Sequence, residues 1–126
     1  MRLFINLPNT IMRKIERQML DAIRERKDWK CSNTEVQCVH FAPANIDRIY
    51  VRLHGSTIAT ITKTDVEVSD CGWQTPTTKS RLNVILHELC GAGIYQKQHK
   101  WYGCAEDEQD WEIPRGSRQL FYRGED

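Results

Sequence analysis

From Glu35 onward the apolar residues change their spacing, and that change limits the fold more than any other feature. Between Thr10 and Arg26 they recur at three- and four-residue steps: Ile11, Met12, Ile15, Met19, Leu20 and Ile23. That period lays them along one stripe of a helix, which Thr10 can cap. Past a polar loop from Arg26 to Thr34 the period drops to two. Val36, Cys38 and His40 alternate with Gln37 and Val39. Ile49 to His54, Thr57 to Thr62 and Val66 to Ser69 read as three further strands. The breaks between them, Ala42-Pro43-Ala44-Asn45, Gly55-Ser56 and Lys63-Thr64-Asp65, are short and rich in turn formers. Connections this short join antiparallel neighbours, so the middle of the chain reads as a β-meander.

The helical period returns after Pro76. Asp70-Cys71-Gly72 closes the fourth strand, and Pro76 holds Thr75 extended and keeps a helix from starting earlier. Thr77 or Thr78 then serves as the cap. Leu82, Val84, Ile85, Leu86 and Leu89 form the buried face, and Gly91 ends the helix. Gly93 to Tyr102 reads as one more strand, with Lys97, His99 and Trp101 on one side. An acidic loop follows from Glu106 to Asp110, and Arg118 to Arg123 supplies a last strand. The expected fold class is α+β: N-terminal helix, antiparallel meander, second helix, closing strands.

A chain of 126 residues allows one domain with one modest core. Within 1–126, residues 1–30 read as a helical oligomerisation segment and 31–126 as a β-rich ligand-binding core. A terminal helix with a full apolar stripe packs either on its own sheet or on the same helix of another subunit, so a helix-mediated homo-oligomer, from dimer to hexamer, is expected. The net charge of +1 argues against a non-specific nucleic-acid binder, which needs a broad basic excess. The opening residues lack the apolar length of a signal peptide and no run reaches a membrane span, so the cytoplasm is the expected location. The five cysteines are odd in number and include no C-x-x-C pair, which reads as reduced thiols. His87 and Cys90 can share a helix face, but zinc needs two more ligands, so no metal is expected and no cofactor.

No nucleophile elbow, zinc-protease motif, Walker loop or Rossmann glycine pattern occurs. His99 and Cys104 offer a base and a nucleophile only if the fold joins them. The residues from Cys71 to Cys90 are better suited to binding. Trp73 is either core under the second helix or a stacking platform for a base. The helix start at Thr75, Thr77 and Thr78 offers backbone donors that attract anions. Asn83 can pair with a purine edge or simply meet water. Arg81, Lys97 and Lys100 are cations able to meet phosphate or solvent.

The segments H-G-S-T-I-A-T-I, C-G-W-Q-T-P-T-T-K-S-R-L-N and G-I-Y-Q-K-Q-H-K-W-Y, between Leu53 and Tyr102, resemble a family of small phage proteins. Through that family the chain is similar to the type-one Thoeris anti-defence proteins, phage sponges for immune signalling nucleotides. The resemblance rests on an N-terminal helix, a β-rich core and an aromatic residue ten positions before a helical asparagine, here Trp73 and Asn83. It implies that Trp73 stacks on adenine of a cyclic ADP-ribose isomer and that Asn83 hydrogen-bonds the ligand. It implies a cation at Lys100, where the family carries arginine, with Arg81 compensating. It also implies that Arg24 or Arg26 of a partner subunit meets the phosphates, and that cyclic oligonucleotides can bind at a second site. The expected function is therefore an anti-defence sponge, not an enzyme. Two rivals stand beside it. One is a nucleic-acid accessory protein using Arg13, Arg17, Arg24, Lys97, Lys100 and Trp101. The other is a host-protein inhibitor docking through Trp73, Trp101 and Trp111.

Overall fold

The computed structural model describes residues 12–124. Its elements run α1 (Lys14–Glu25), β1 (Trp29–Cys31), β2 (Thr34–Phe41), β3 (Ile46–Leu53), β4 (Ser56–Ile61), β5 (Asp65–Ser69), α2 (Pro76–Cys90), β6 (Gly93–Lys97), β7 (Lys100–Cys104), β8 (Trp111–Ile113) and β9 (Arg118–Tyr122). A six-stranded sheet has the order β1-β2-β3-β4-β5-β9, and a second sheet has the order β6-β7-β8. All pairings are antiparallel. The fold is thus α+β, with the expected succession of helix, meander, helix and closing strands.

Register explains why the large sheet has one apolar face. Val36 lies opposite Val51, Val51 opposite Ala59 and Ala59 opposite Val68. A second row runs from Ile49 through Ile61 and Val66 to Phe121. All eight are buried, and burying a valine, isoleucine or phenylalanine side chain is worth about 1.5–3 kcal/mol. Alternation sends Tyr50, Thr60, Glu67 and Leu120 to the other face, where Leu120 is exposed. Between β3 and β4 the register slips at Val51/Arg52, so Ile58 has no partner across the ladder and turns inward, 2% exposed.

The C-terminal half of the α1 stripe packs inside its own subunit. Met19, Leu20 and Ile23 are buried in the common core with α2 and the sheet. Of the two partners open to this helix, the structure uses its own sheet. Met12 and Ile15 of the same stripe are half-buried. The helix is capped by Arg13, whose backbone N–H donates to Glu16 Oε1 at 3.1 Å. The expected cap Thr10 and the stripe residue Ile11 lie outside the described residues.

Two strand readings are corrected. Part of the polar loop before Thr34 forms β1, which pairs with β2 through Trp29 and Val36. The single strand expected from Gly93 to Tyr102 is a hairpin. Gln98 and His99 take φ values of 51° and 66°, the mirror-image turn that suits the twist of paired strands. Lys97, His99 and Trp101 therefore do not share a face. Gly103 is required by a close approach, because a Cβ there would stand 2.5 Å from the ring of Trp111, its partner across β8. Trp111 in turn packs on Phe121 with ring centroids 5.4 Å apart, which ties the small sheet to the large one. Among the described residues no helix is long and apolar enough to cross a membrane.

Candidate functional site

The corner between β5 and α2 is a tight turn held from three directions. The Trp73 N–H donates to the Asp70 carbonyl at 2.9 Å. The two residues between them, Cys71 and Gly72, have φ values of 54° and 88°. Glycine suits the second of these positions because no Cβ opposes the left-handed backbone. Asp70 Oδ1 accepts from Gly72 N at 2.7 Å and from Gly116 N at 2.8 Å, so one carboxyl oxygen holds both this turn and the loop before β9. The Cys71 thiol donates to the Thr57 carbonyl at 3.1 Å, and Gln74 Nε2 donates to the Ile113 carbonyl at 3.0 Å. With its backbone so fixed, Trp73 still leaves 73% of its surface in solvent. Of its two readings, core packing is excluded.

The start of α2 corrects the expected cap. Thr75 is the N-cap and Pro76 the first helical residue, a position where proline's missing N–H would have been unpaired anyway. Thr75 Oγ1 accepts from Thr78 N at 3.1 Å and lies 2.9 Å from Thr78 Oγ1. Lys79 N donates to the Thr75 carbonyl at 3.0 Å. The first turn thus satisfies most of its own donors, so its pull on a phosphate is weaker than the sequence suggests.

Beside this turn opens a pocket of about 450 Å³. Trp73, Thr75 and Thr77 line it from the corner, Leu53 and Ile58 supply apolar wall, and Asp70, Cys71 and His54 are the titratable residues of the lining. No lysine or arginine is among its lining residues. Its own subunit therefore offers a phosphate no lysine or arginine there.

The structure does not bring the other expected residues to this pocket. Asn83 is 4% exposed, and both polar atoms of its amide are engaged: Nδ2 donates to the Ile94 carbonyl at 2.8 Å and Oδ1 accepts from Ile94 N at 2.7 Å. Arg81 is also 4% exposed. Its Nη1 donates to Glu16 Oε2 at 2.8 Å and its Nε to Thr34 Oγ1 at 3.1 Å. Ser80 Oγ adds a third donor to Glu16, at 2.6 Å. Burial pushes the Glu16 carboxyl up, but the hydrogen bonds from Ser80, Arg13 N and Arg81, with the Arg81 charge, together hold it below the usual carboxylate value. Both helical residues thus fasten elements to one another. Lys100 lies at the base of the β6–β7 turn, exposed, 3.8 Å from Glu112. Arg24 pairs with Glu88 and Arg26 with Asp47, all at exposed positions. These two arginines line a different groove, of about 630 Å³, with Lys63, Leu89 and Arg123. Leu89 is in the last turn of α2, whereas the Trp73 pocket lies at the first, about 20 Å away along a helix of this length.

Groups with catalytic potential do not converge either. His99 is in the hairpin turn, and Cys104 is at the far end of β7. Burial pushes the Cys104 thiol up, with Asp110 adding to the effect, so a thiolate nucleophile is disfavoured there. Tyr95 donates to Asp110 at 2.6 Å, which pushes its phenol up to about 12. Trp101 is 1% exposed, which takes it out of a docking surface, whereas Trp111 is half-buried. Among the described residues no group of three or more His, Cys, Asp or Glu is placed to hold a metal ion. Of the pocket residues that sequence reasoning missed, His54 among them, Asp70 is the buried polar one. Its only local signal is the D-x-G spacing of a side-chain-bonded turn; its burial depends on Gly116, far along the chain.

A family model described as Kyanoviridae Gp96 protein matches residues 12–122. No curated protein and no solved structure matches the chain.

Proposed function

We propose that this chain, which belongs to the Kyanoviridae Gp96 family of phage proteins, binds and holds a nucleotide-derived small molecule at the Trp73 corner without cleaving it. The observation that carries this reading is an indole ring 73% exposed at a pocket of about 450 Å³. Leaving that much aromatic surface in water forgoes burial that the core could use. Stacking on a base returns about 1–3 kcal/mol. The pocket falls in the range of small-molecule sites, about 300–1,000 Å³, and has their mixture of apolar wall and few polar groups.

In this reading Trp73, Thr75 and Thr77 take the base and sugar. Arg81 and Asn83 act as scaffold and leave the ligand set. The phosphates face outward, where a second copy of the chain presents Arg24 or Arg26. Those arginines are held by exposed ion pairs, which are weak and easily exchanged. The site is then completed in a homo-oligomer, and the ligand class is a cyclic ADP-ribose-type immune signal. A sponge acts by affinity alone, and nanomolar binding corresponds to about −12 kcal/mol. Stacking supplies a fraction of that, so the cations of the second copy are needed.

The test is recovery. The protein is incubated with a cyclic ADP-ribose isomer, separated from free ligand and heated. Release of intact ligand supports the proposal, as does its loss in Trp73→Ala. Recovery of a cleaved product, or of nothing, overturns it. If a host protein is retained instead, with no response to nucleotides, the exposed Trp73 is a docking residue.

A further inference from the structure

Asp70 is 4% exposed and forms part of the wall of the Trp73 pocket. Its two carboxyl oxygens are used very differently. Oδ1 accepts two backbone N–H groups, from Gly72 and Gly116. Oδ2 is buried and has no hydrogen-bond partner among the described residues. Folded proteins seldom leave such an acceptor unpaired, because its lost hydration goes uncompensated. The turn needs only an acceptor at Oδ1, which asparagine would supply equally well. The second oxygen is therefore surplus to the fold.

We infer that Asp70 Oδ2 is the recognition acceptor of this pocket, and that it selects ligands presenting a neutral hydrogen-bond donor, a ribose hydroxyl, beneath the base stacked on Trp73. The inference rests on the binding role of Trp73 proposed above. A phosphate does not fit this position, since two anions would face one another and no lysine or arginine lines the pocket. A metal ion does not fit, since His54 and Cys71, which also line the pocket, form with Asp70 no group placed to hold one among the described residues, and the Cys71 thiol is already engaged with the Thr57 carbonyl. A hydroxyl supplies the missing donor. Because Oδ2 is sealed from solvent, the contact requires a small shift of the Asp70–Trp73 turn as the sugar enters.

The test uses adenosine as probe, titrated by calorimetry into the whole protein. Asp70→Asn keeps an oxygen for Gly72 and Gly116 and turns the second atom into an obligate donor. The expected result is a loss of affinity of about 10- to 100-fold in Asp70→Asn. 2′,3′-Dideoxyadenosine should bind the unaltered protein as weakly as adenosine binds the variant, and the variant should not distinguish the two nucleosides. The dideoxy comparison needs no variant and so holds even if Asp70→Asn folds poorly. Equal binding of adenosine and dideoxyadenosine, lost in Trp73→Ala, overturns the role of Asp70 and leaves Trp73 standing. Absence of adenosine binding overturns both.

Discussion

Asn83 and Ile94 form a closed pair, in which one side-chain amide both donates to and accepts from the backbone of a single residue, at 2.8 and 2.7 Å. The amide imitates a neighbouring strand at the point where β6 has none. It thereby fixes the small sheet to the middle of α2.

Asn83→Ala should accordingly act on stability. It strands a buried N–H and a buried carbonyl, each costing about 1–3 kcal/mol. A loss of about 2–4 kcal/mol in urea unfolding is expected, with nucleotide affinity of the folded fraction unchanged. A variant of normal stability that no longer binds ligand would return Asn83 to the site.

Arg81 and Glu16 make a second prediction. Arg81→Met leaves the Glu16 carboxylate buried without its cation, and breaking such a pair costs about 3–5 kcal/mol. Replacing both, as Glu16→Leu with Arg81→Met, should recover much of the loss. A double-mutant cycle on unfolding free energy measures the coupling, and additive losses would contradict the pairing.

Trp73→Ala should behave in the opposite way. An exposed side chain away from the core changes stability by no more than about 0.5 kcal/mol. Binding of a base-containing ligand should fall about 5- to 100-fold, the equivalent of one stack. Melting temperature and affinity measured on the same preparation separate the two effects.

The contrast between these residues shows what could be read from the sequence. The helix stop at Gly91 and the turns of the meander are local, so they were legible. The buried partners of Arg81 and Asn83 were not. Glu16 lies 65 positions from Arg81, and a polar residue in a helix looks the same whether it meets water or a distant chain segment. Glu16 itself is fully buried, although a charged residue in a helix ordinarily marks the wet face. The β6–β7 hairpin was hidden because Gln98 and His99 occupy a turn that usually displays glycine or asparagine. The exposure of Trp73 was one of two open readings, and only packing could decide between them.

Acidification should weaken the fold in two stages. Burial lowers the pKa of His87 below the usual imidazole value, with Glu88 opposing. The unfolded chain therefore binds that proton more readily, and stability falls as pH drops below about 6.5. Glu16 is held below its usual value, so its contribution is present above about pH 4.3 and is lost as pH falls through the lower folded value. Melting temperatures from pH 8 to pH 3 should show both declines. His87→Gln should remove the upper one alone.

Gly103→Ala should destabilise the contact between the sheets. The added methyl stands 2.5 Å from Trp111, and overpacking of this kind costs about 1–3 kcal/mol. Adding Trp111→Leu should relieve part of the penalty. If Gly103→Ala unfolds at the same denaturant concentration as the parent, Trp111 has room that the structure denies it.

The bonds from Asp70 to Gly116 and from Gln74 to Ile113 have a consequence for the order of synthesis. The residues that carry the pocket are made early, but the backbone that braces them comes from the last part of the described chain. A ribosome that has already released Trp73 into solution still holds the segment that fixes its turn. The nascent chain can gather its meander and α2 first, yet its Trp73 corner lacks the Gly116 brace until residue 116 has emerged.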